Sequence, residues 1–202
     1  MNHPGGLQLT SRAARLAGLS PGMTLLDIGC GEGASLEHLS RKLGVVPYGI
    51  DISNAVISVS RERIPQAVLV TGSADALPFS DAEFDAAICE CVLSLIEDTT
   101  KALSETHRVL KPNGAFIVSD VCDRDDIGKI KKSLMLVGFE VEHFEDHKQA
   151  LVTYMAEICN ACVDGNSPYG AKGHTVRTDE LYSPANTTYY LMICRKKATN
   201  AG

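Results

Sequence analysis

The chain has 202 residues, 45% of them hydrophobic and 22% charged, ordinary proportions for a soluble globular domain with a substantial core. Nineteen basic against 25 acidic residues leave a net charge of −6, which argues against the broad positive footprint of a nucleic-acid binder. No apolar run approaches the roughly 18–20 residues of a membrane span, and Met1–Arg15 lacks a charged-then-apolar signal pattern. The seven cysteines, an odd number, sit mostly inside apolar runs. A reduced, cytoplasmic protein is expected.

His3-Pro4-Gly5-Gly6 excludes regular structure, and Gly5–Thr10 reads either as a hinged lid or as a loose terminus. Ser11–Leu19 follows as a short helix, capped by Thr10 or Ser11 and ended near Gly18. Thr24–Ile28, Val46–Ile50, Ala67–Thr71, Phe84–Cys89 and Ala115–Ser119 are short apolar, strand-like runs. Between them Ala34–Leu43, Ala55–Arg63 and Thr99–Leu110 have helical periodicity. Runs buried on both faces and alternating with helices predict βαβ units around a parallel sheet. Ile127–Val137 then reads as a helix, Phe139–Phe144 as a sixth strand, and Lys148–Val163 as a helix with Leu151, Met155, Ile158 and Cys162 on one face. Asp164–Asn186, polar and punctuated by glycine and proline, predicts a long loop before a last β-rich run at Thr188–Cys194.

Leu25-Leu26-Asp27-Ile28-Gly29-Cys30-Gly31-Glu32-Gly33 carries a strand straight into a glycine-rich turn and a helix. Glycines there let the chain turn sharply and let a ligand lie against the backbone. A tight strand–helix turn without a ligand is the plainer alternative. Gly29–Ala34 also fits the relaxed dinucleotide pattern G-x-G-x-x-A. Charge separates the two ligands. A pyrophosphate wants a carboxylate-free helix N-terminus, whereas Asp27 precedes this loop and Glu32 lies inside it. Two carboxylates suit a ligand that carries an ammonium and a sulfonium. The pattern D-x-G-x-G-x-G closely resembles the first motif of the class I S-adenosylmethionine-dependent methyltransferases.

The resemblance covers Leu19–Asp120 tightly and the rest loosely. It implies a Rossmann-like, doubly wound α/β fold, mostly parallel and seven-stranded, with an antiparallel last strand at Tyr189–Arg195, as one domain over residues 1–202. The implied cofactor is S-adenosylmethionine and the product S-adenosylhomocysteine. Implied cofactor contacts come from Asp27, Gly29, Cys30, Gly31 and Gly33 in the loop, and from Asp51 and Ile52, where a carboxylate can accept from both ribose hydroxyls. Ser73, Ala74 and Asp75 resemble a further motif whose acid meets the adenine amino group; a turn cap before Pro78 is the alternative for Asp75. Val109-Leu110-Lys111-Pro112-Asn113-Gly114 looks like the family's L-K-P-G-G turn, with Asn113, which tolerates a left-handed backbone, in place of a glycine.

Transfer in this family is an in-line displacement at a sulfonium methyl, so the protein mainly aligns the acceptor and excludes water. The acceptor is expected beyond the carboxyl ends of the strands: near Cys89-Glu90-Cys91, after Ser119-Asp120, and at the N-terminal arm. The Asn-Pro-Pro-Tyr motif of amino-methylating DNA enzymes is absent at 89–92. The chain is instead similar to ubiquinone and menaquinone C-methyltransferases, which implies a small-molecule acceptor. Ile88–Leu95 is also similar to the S-N-C-V-I-N-L segment of arsenite methyltransferases, placing Cys91 on a metalloid-binding cysteine. Glu90 replaces an asparagine there, and burial as small packing residues is the alternative for Cys89 and Cys91.

Glu90 itself reads as a contact to the methionine end of the cofactor, a base, or a solvated acid. His147, beside Asp146, and His143 read as acceptor-site bases or as surface residues. Cys159-x-x-Cys162 reads as packing and no metal site is expected, since a structural zinc needs four ligands. Two other classes stand beside the methyltransferase. One is a dinucleotide-dependent oxidoreductase, opposed by Asp27, Glu32 and the chain's length; the other is a catalytically silent cofactor-binding module.

Overall fold

Strands buried on both faces need helices on both sides, and the structure, a computed structural model describing residues 3–163 and 185–197, supplies them. The strands are β1 (Thr24–Ile28), β2 (Val46–Asp51), β3 (Val68–Thr71), β4 (Phe84–Glu90), β5 (Leu110–Asp123), β6 (Phe139–Asp146) and β7 (Thr187–Lys196). Among the described residues they form one sheet in the order β3-β2-β1-β4-β5-β7-β6. The pairs among β1 to β5 are parallel; β7 runs antiparallel to both β5 and β6. The expected doubly wound sheet with an antiparallel last strand is what the chain builds.

Helices α1 (Gly6–Leu16), α2 (Ala34–Leu43) and α3 (Asn54–Arg63) cover one face, where Leu9, Ala13, Leu36, Leu39, Ile57 and Ile64 join a single buried cluster. Helices α4 (Thr99–Val109) and α5 (Ile127–Leu136) cover the other, through Leu103, Val109 and Leu134. Helix α6 (Lys148–Val163) adds Leu151 to the first face. Strand β7 shows the logic most plainly. Tyr189, Leu191 and Ile193 enter the first cluster while Tyr190, Met192 and Cys194 enter the second. A run apolar at every position is what a strand held between two neighbours and two helical layers requires.

Two elements depart from the sequence reading. Helix α1 begins at Gly6, not Ser11, with Gly5 as a left-handed N-cap at φ 78°. Thr10 therefore lies inside the helix, fully buried, and caps nothing. The stripe Leu9, Ala13, Ala14 explains the earlier start, because burying Leu9 requires a preceding helical turn. Gly5–Thr10 thus contribute the cap and first turns of a packed helix. Strand β5 also begins earlier, at Leu110, running through Lys111-Pro112-Asn113-Gly114 with a register shift against β4 between Phe84 and Ala86. Asn113 takes the left-handed conformation at φ 63°, the tolerance expected of it.

Beyond Asp146 the chain enters α6 directly, and residues 159–163 are described as backbone alone. Cys159 and Cys162 have side chains outside the described set, as does nearly all of the expected loop at Asp164–Asn186. No helix among the described residues is long and apolar enough to cross a membrane.

The second face is anchored by aromatic rings. Phe84 is fully buried, with Tyr48 and Phe79 edge-on at centroid distances of 5.1 and 5.0 Å. Phe84→Ala should cost about 3–5 kcal/mol in urea unfolding, the range for emptying a packed aromatic site, with the urea dependence (m-value) unchanged.

Candidate functional site

The glycine turn between β1 and α2 holds a shape that side chains would block. Gly29, Gly31 and Gly33 all have positive φ, at 75°, 53° and 78°. A Cβ on Gly29 would lie 2.4 Å from Val92 Cγ2, and one on Gly33 would lie 2.4 Å from Ser60 Oγ. A Cβ on Gly31 would meet nothing within 4 Å, so the turn is braced from below and open at its middle glycine. The amides of Gly29 and Cys30 both donate to the Ile50 carbonyl, at 2.8 and 3.0 Å, which fixes the turn to β2. Cys30 is buried under the turn, and burial beside Asp27 and Asp51 pushes its thiol well up.

Asp51, the last residue of β2, faces that turn. Its Oδ2 accepts from the Gly31 amide at 3.0 Å and its Oδ1 from the Ser53 amide at 2.9 Å. Ile52 follows with 79% of its surface exposed, an aliphatic side chain held out over the strand ends. The Gly72 amide donates to the Asp51 carbonyl at 3.0 Å, so Ser73, Ala74 and Asp75 leave β3 directly beside Asp51. These three are half-buried. Ser73 and Lys101, the latter 3.9 Å away, hold the Asp75 carboxyl below its ordinary value.

Asp27 lies on β1, paired with Gly49 and Ile88, and is only 4% exposed. Burial first, then the charges of Glu90 and Asp51, push its carboxyl well above the ordinary carboxylate range. Glu90 ends β4, and its side chain is 8% exposed. It is not the solvated acid that the sequence left open. Thr10 donates to its Oε1 at 2.9 Å and Ser35 to its Oε2 at 2.6 Å, while His3 Nε2 stands 3.6 Å from Oε2. Asp27, Asp51 and Glu90 thus converge at the ends of three adjacent strands. Among the described residues no Lys or Arg pairs with any of them, and no His, Cys, Asp and Glu cluster is arranged as a metal cage.

Cys91 follows Glu90 in a left-handed conformation at φ 56°. Its thiol donates to Tyr189 Oη at 3.7 Å, and Tyr189 donates to Ser119 Oγ at 2.9 Å. Burial pushes the Cys91 thiol up to about 12, so it is protonated at neutral pH; burial also raises Cys89 well above an ordinary thiol. His147 donates its amide to the Tyr189 carbonyl at 2.7 Å and lines a cleft with Gly5, Leu7 and Gln8. It follows β6, three strand spacings of about 4.8 Å from β4. Its Nε2 pairs with Glu145 Oε2 at 2.8 Å, and His143 pairs with Oε1 at the same distance. Arg12, together with both histidines, holds the Glu145 carboxyl down to about 2, and Arg12 ties this group to α1.

Sequence reading missed His3, Thr10 and Ser35 as site residues. Thr10 and Glu90 are 80 positions apart, and no local pattern announces such a contact. His3, 3% exposed, is also in the wall of a cleft of about 790 Å³ with Leu7, Ala34, Arg63, Ala150 and Tyr154.

Residues 26–118 match a family described as "Methyltransferase domain". The chain is 31% identical over 188 residues to a fatty-acid O-methyltransferase of Mycolicibacterium smegmatis, covering 86% of this chain and 67% of that protein. It is 35% identical over 103 residues to a demethylmenaquinone methyltransferase of Renibacterium salmoninarum, which is 51% of this chain and 43% of the relative. The chain spans about half the length of several such relatives. Its fold matches Haemonchus contortus phosphoethanolamine N-methyltransferase 2 in complex with S-adenosyl-L-methionine, with TM-score 0.80, 19% identity, and 98% of this chain and 54% of that one covered.

Because Asp27 is raised in the folded chain, its contribution to stability is fully present below its unfolded value, about 4, and is lost as pH rises through the folded one. Asp27→Asn removes that loss. The ligand-free variant should equal wild type near pH 4 and gain on it as pH rises, by about 1.4 kcal/mol for each pKa unit of the shift, read from urea curves between pH 4 and 8.

Proposed function

This chain belongs to the class I S-adenosylmethionine-dependent methyltransferases, and from that premise we propose that it methylates a small molecule with a largely apolar body. The observation that carries the site reading is the trio Asp27, Asp51 and Glu90 around the open glycine turn. A pocket ringed by carboxylates repels a diphosphate and attracts a ligand with a fixed positive charge. That disfavours a dinucleotide and fits a sulfonium with an ammonium.

In this reading the turn at Gly29–Gly33 approaches the cofactor with backbone alone, the raised positions of its glycines leaving no Cβ in the way. Asp51 turns its carboxylate from the Gly31 and Ser53 amides toward the ribose hydroxyls, and Ile52 supplies apolar surface for the purine. Ser73, Ala74 and Asp75 border the same end, beside Asp51. Asp27 and Glu90 hold the positively charged end by charge. When bound, the cofactor supplies an electrophilic methyl on a sulfonium. The protein's own share is alignment and exclusion of water, for which the N-terminal turn and α1 form a roof through His3 and Thr10.

The cleft beside His3 is the acceptor's place in this reading. Leu7, Ala34, Ala150 and Tyr154 give it apolar walls, and Gln8, Gln149 and Arg63 give it polar points. Relatives named for a quinone and for a fatty acid support an apolar-bodied acceptor. Cys91 is read as packing: its protonated thiol is tied to Tyr189, so a ready thiolate for a metalloid is disfavoured.

S-adenosylhomocysteine at 100 times its dissociation constant should stabilise the protein by about 2.7 kcal/mol, and NAD should not. Asp51→Ala should weaken that binding at least tenfold in calorimetry; unchanged affinity would sink the assignment of Asp51. For the acceptor, methyl label from S-adenosylmethionine should enter a lipid and quinol extract equally with wild type and Cys91→Ser. Label on arsenite that vanishes in Cys91→Ser would reverse the reading of Cys91.

A further inference from the structure

His3 is joined to Glu90 through Thr10, and the hydrogen-bond count of that chain does not close with ordinary protonation states. The Nδ1 of His3 lies 3.0 Å from the Pro4 carbonyl, which only accepts, so Nδ1 carries a hydrogen. Nε2 lies 3.1 Å from Thr10 Oγ1, and that hydroxyl lies 2.9 Å from Glu90 Oε1. Thr10 has one hydroxyl proton for these two contacts. With a neutral imidazole and an ionised Glu90, one contact would set lone pair against lone pair. Both are satisfied only by one more proton, either on Nε2, giving imidazolium beside carboxylate, or on Glu90 Oε1.

The setting favours such a proton. Asp51 on β2 and Asp27 on β1, whose own carboxyl is raised, face the same side, and Cys91 after β4 and Tyr189 on β7 line it without charge at neutral pH. The Tyr189 ring stacks on His3 at 6.5 Å between centroids. From α2, Ser35 contributes only a neutral hydroxyl to Glu90, and from α3 the cation Arg63 is engaged with Glu32 at 3.6 Å. Among the described residues the basic side chain paired with Glu90 is His3, at 3.6 Å.

We propose that His3 is a positioning residue of this methyltransferase, orienting Glu90 through Thr10 and holding one proton that uptake of the cationic cofactor releases. The proposal rests on the cofactor reading above. Binding exchanges one positive charge for another: the ligand's sulfonium and ammonium enter beside Glu90 and the stored proton leaves to solvent. S-adenosylmethionine, with its sulfonium charge, should expel more of that proton than neutral-sulfur S-adenosylhomocysteine does. Release on binding also means that affinity falls on acidification, tenfold per pH unit for each proton released.

The test is titration calorimetry of wild type, His3→Gln, Thr10→Val and Asp27→Asn with both ligands, in buffers of different ionisation enthalpy, from pH 6 to 8. A glutamine amide can donate to Thr10 as Nε2–H does but cannot titrate, so a role confined to packing would survive the change. Wild type should release a proton with S-adenosylmethionine and less with S-adenosylhomocysteine. His3→Gln and Thr10→Val should still bind at pH 8, more weakly than wild type, but lose the release and its pH dependence. Release that persists in His3→Gln and disappears in Asp27→Asn would overturn the proposal in favour of Asp27. Binding without any release in wild type would overturn it outright. Failure of wild type to bind either ligand would overturn the cofactor reading itself, and this one with it.

Discussion

Three carboxyl groups at the ends of neighbouring strands are the constraint around which this molecule is arranged. Asp27, Asp51 and Glu90 sit on three adjacent strands, and the fold places them there before any ligand is considered. Water would screen such a group cheaply, but Asp27 is buried and the Glu90 side chain nearly enclosed. The surroundings answer with dipoles: two amides on Asp51 and two hydroxyls on Glu90. The glycine turn, the first residues of α2 and the early start of α1 all serve that local accounting. Carboxylates left partly uncompensated cost stability and gain affinity for a cation, a trade common at binding sites.

Much of this was legible in the chain. β1 and α2 fall where alternating apolar runs place them, because strands covered on both faces and amphipathic helices leave different periodicities. Asp27, Asp51 and the glycine turn were legible because they belong to short contiguous motifs. What the sequence hid was long-range pairing. Nothing near Glu90 says that it meets Thr10 and Ser35, and nothing near His3 distinguishes it from a surface histidine. The partners of His147 were hidden in the same way: its chain neighbours do not announce that it shares a cleft with Leu7 and Gln8 of α1.

The helix α1 was misplaced for an instructive reason. Two glycines and a proline argue against regular structure at Pro4–Gly6, yet Gly5 in a left-handed conformation is a serviceable cap and Leu9 has a core to enter. Tertiary burial overrode local propensity, as it often does for short helices. The same override ties the N-terminal turn to the strand ends through His3 and Thr10.

Strand β7 lies between β5 and β6 although it follows both in the chain. Until β7 emerges from the ribosome, β6 has no partner and the long edge of β5 is unpaired along Ala115–Asp123. From the completion of β6 until β7 is made, the nascent chain therefore carries two open strand edges, the kind of edge that invites pairing with other chains. Completing the sheet then requires threading a later-made strand into a gap between two earlier ones, at large sequence separation. Vectorial synthesis and the final topology run in different orders, which makes insertion of Thr187–Lys196 a late, nonlocal and slow step of biogenesis.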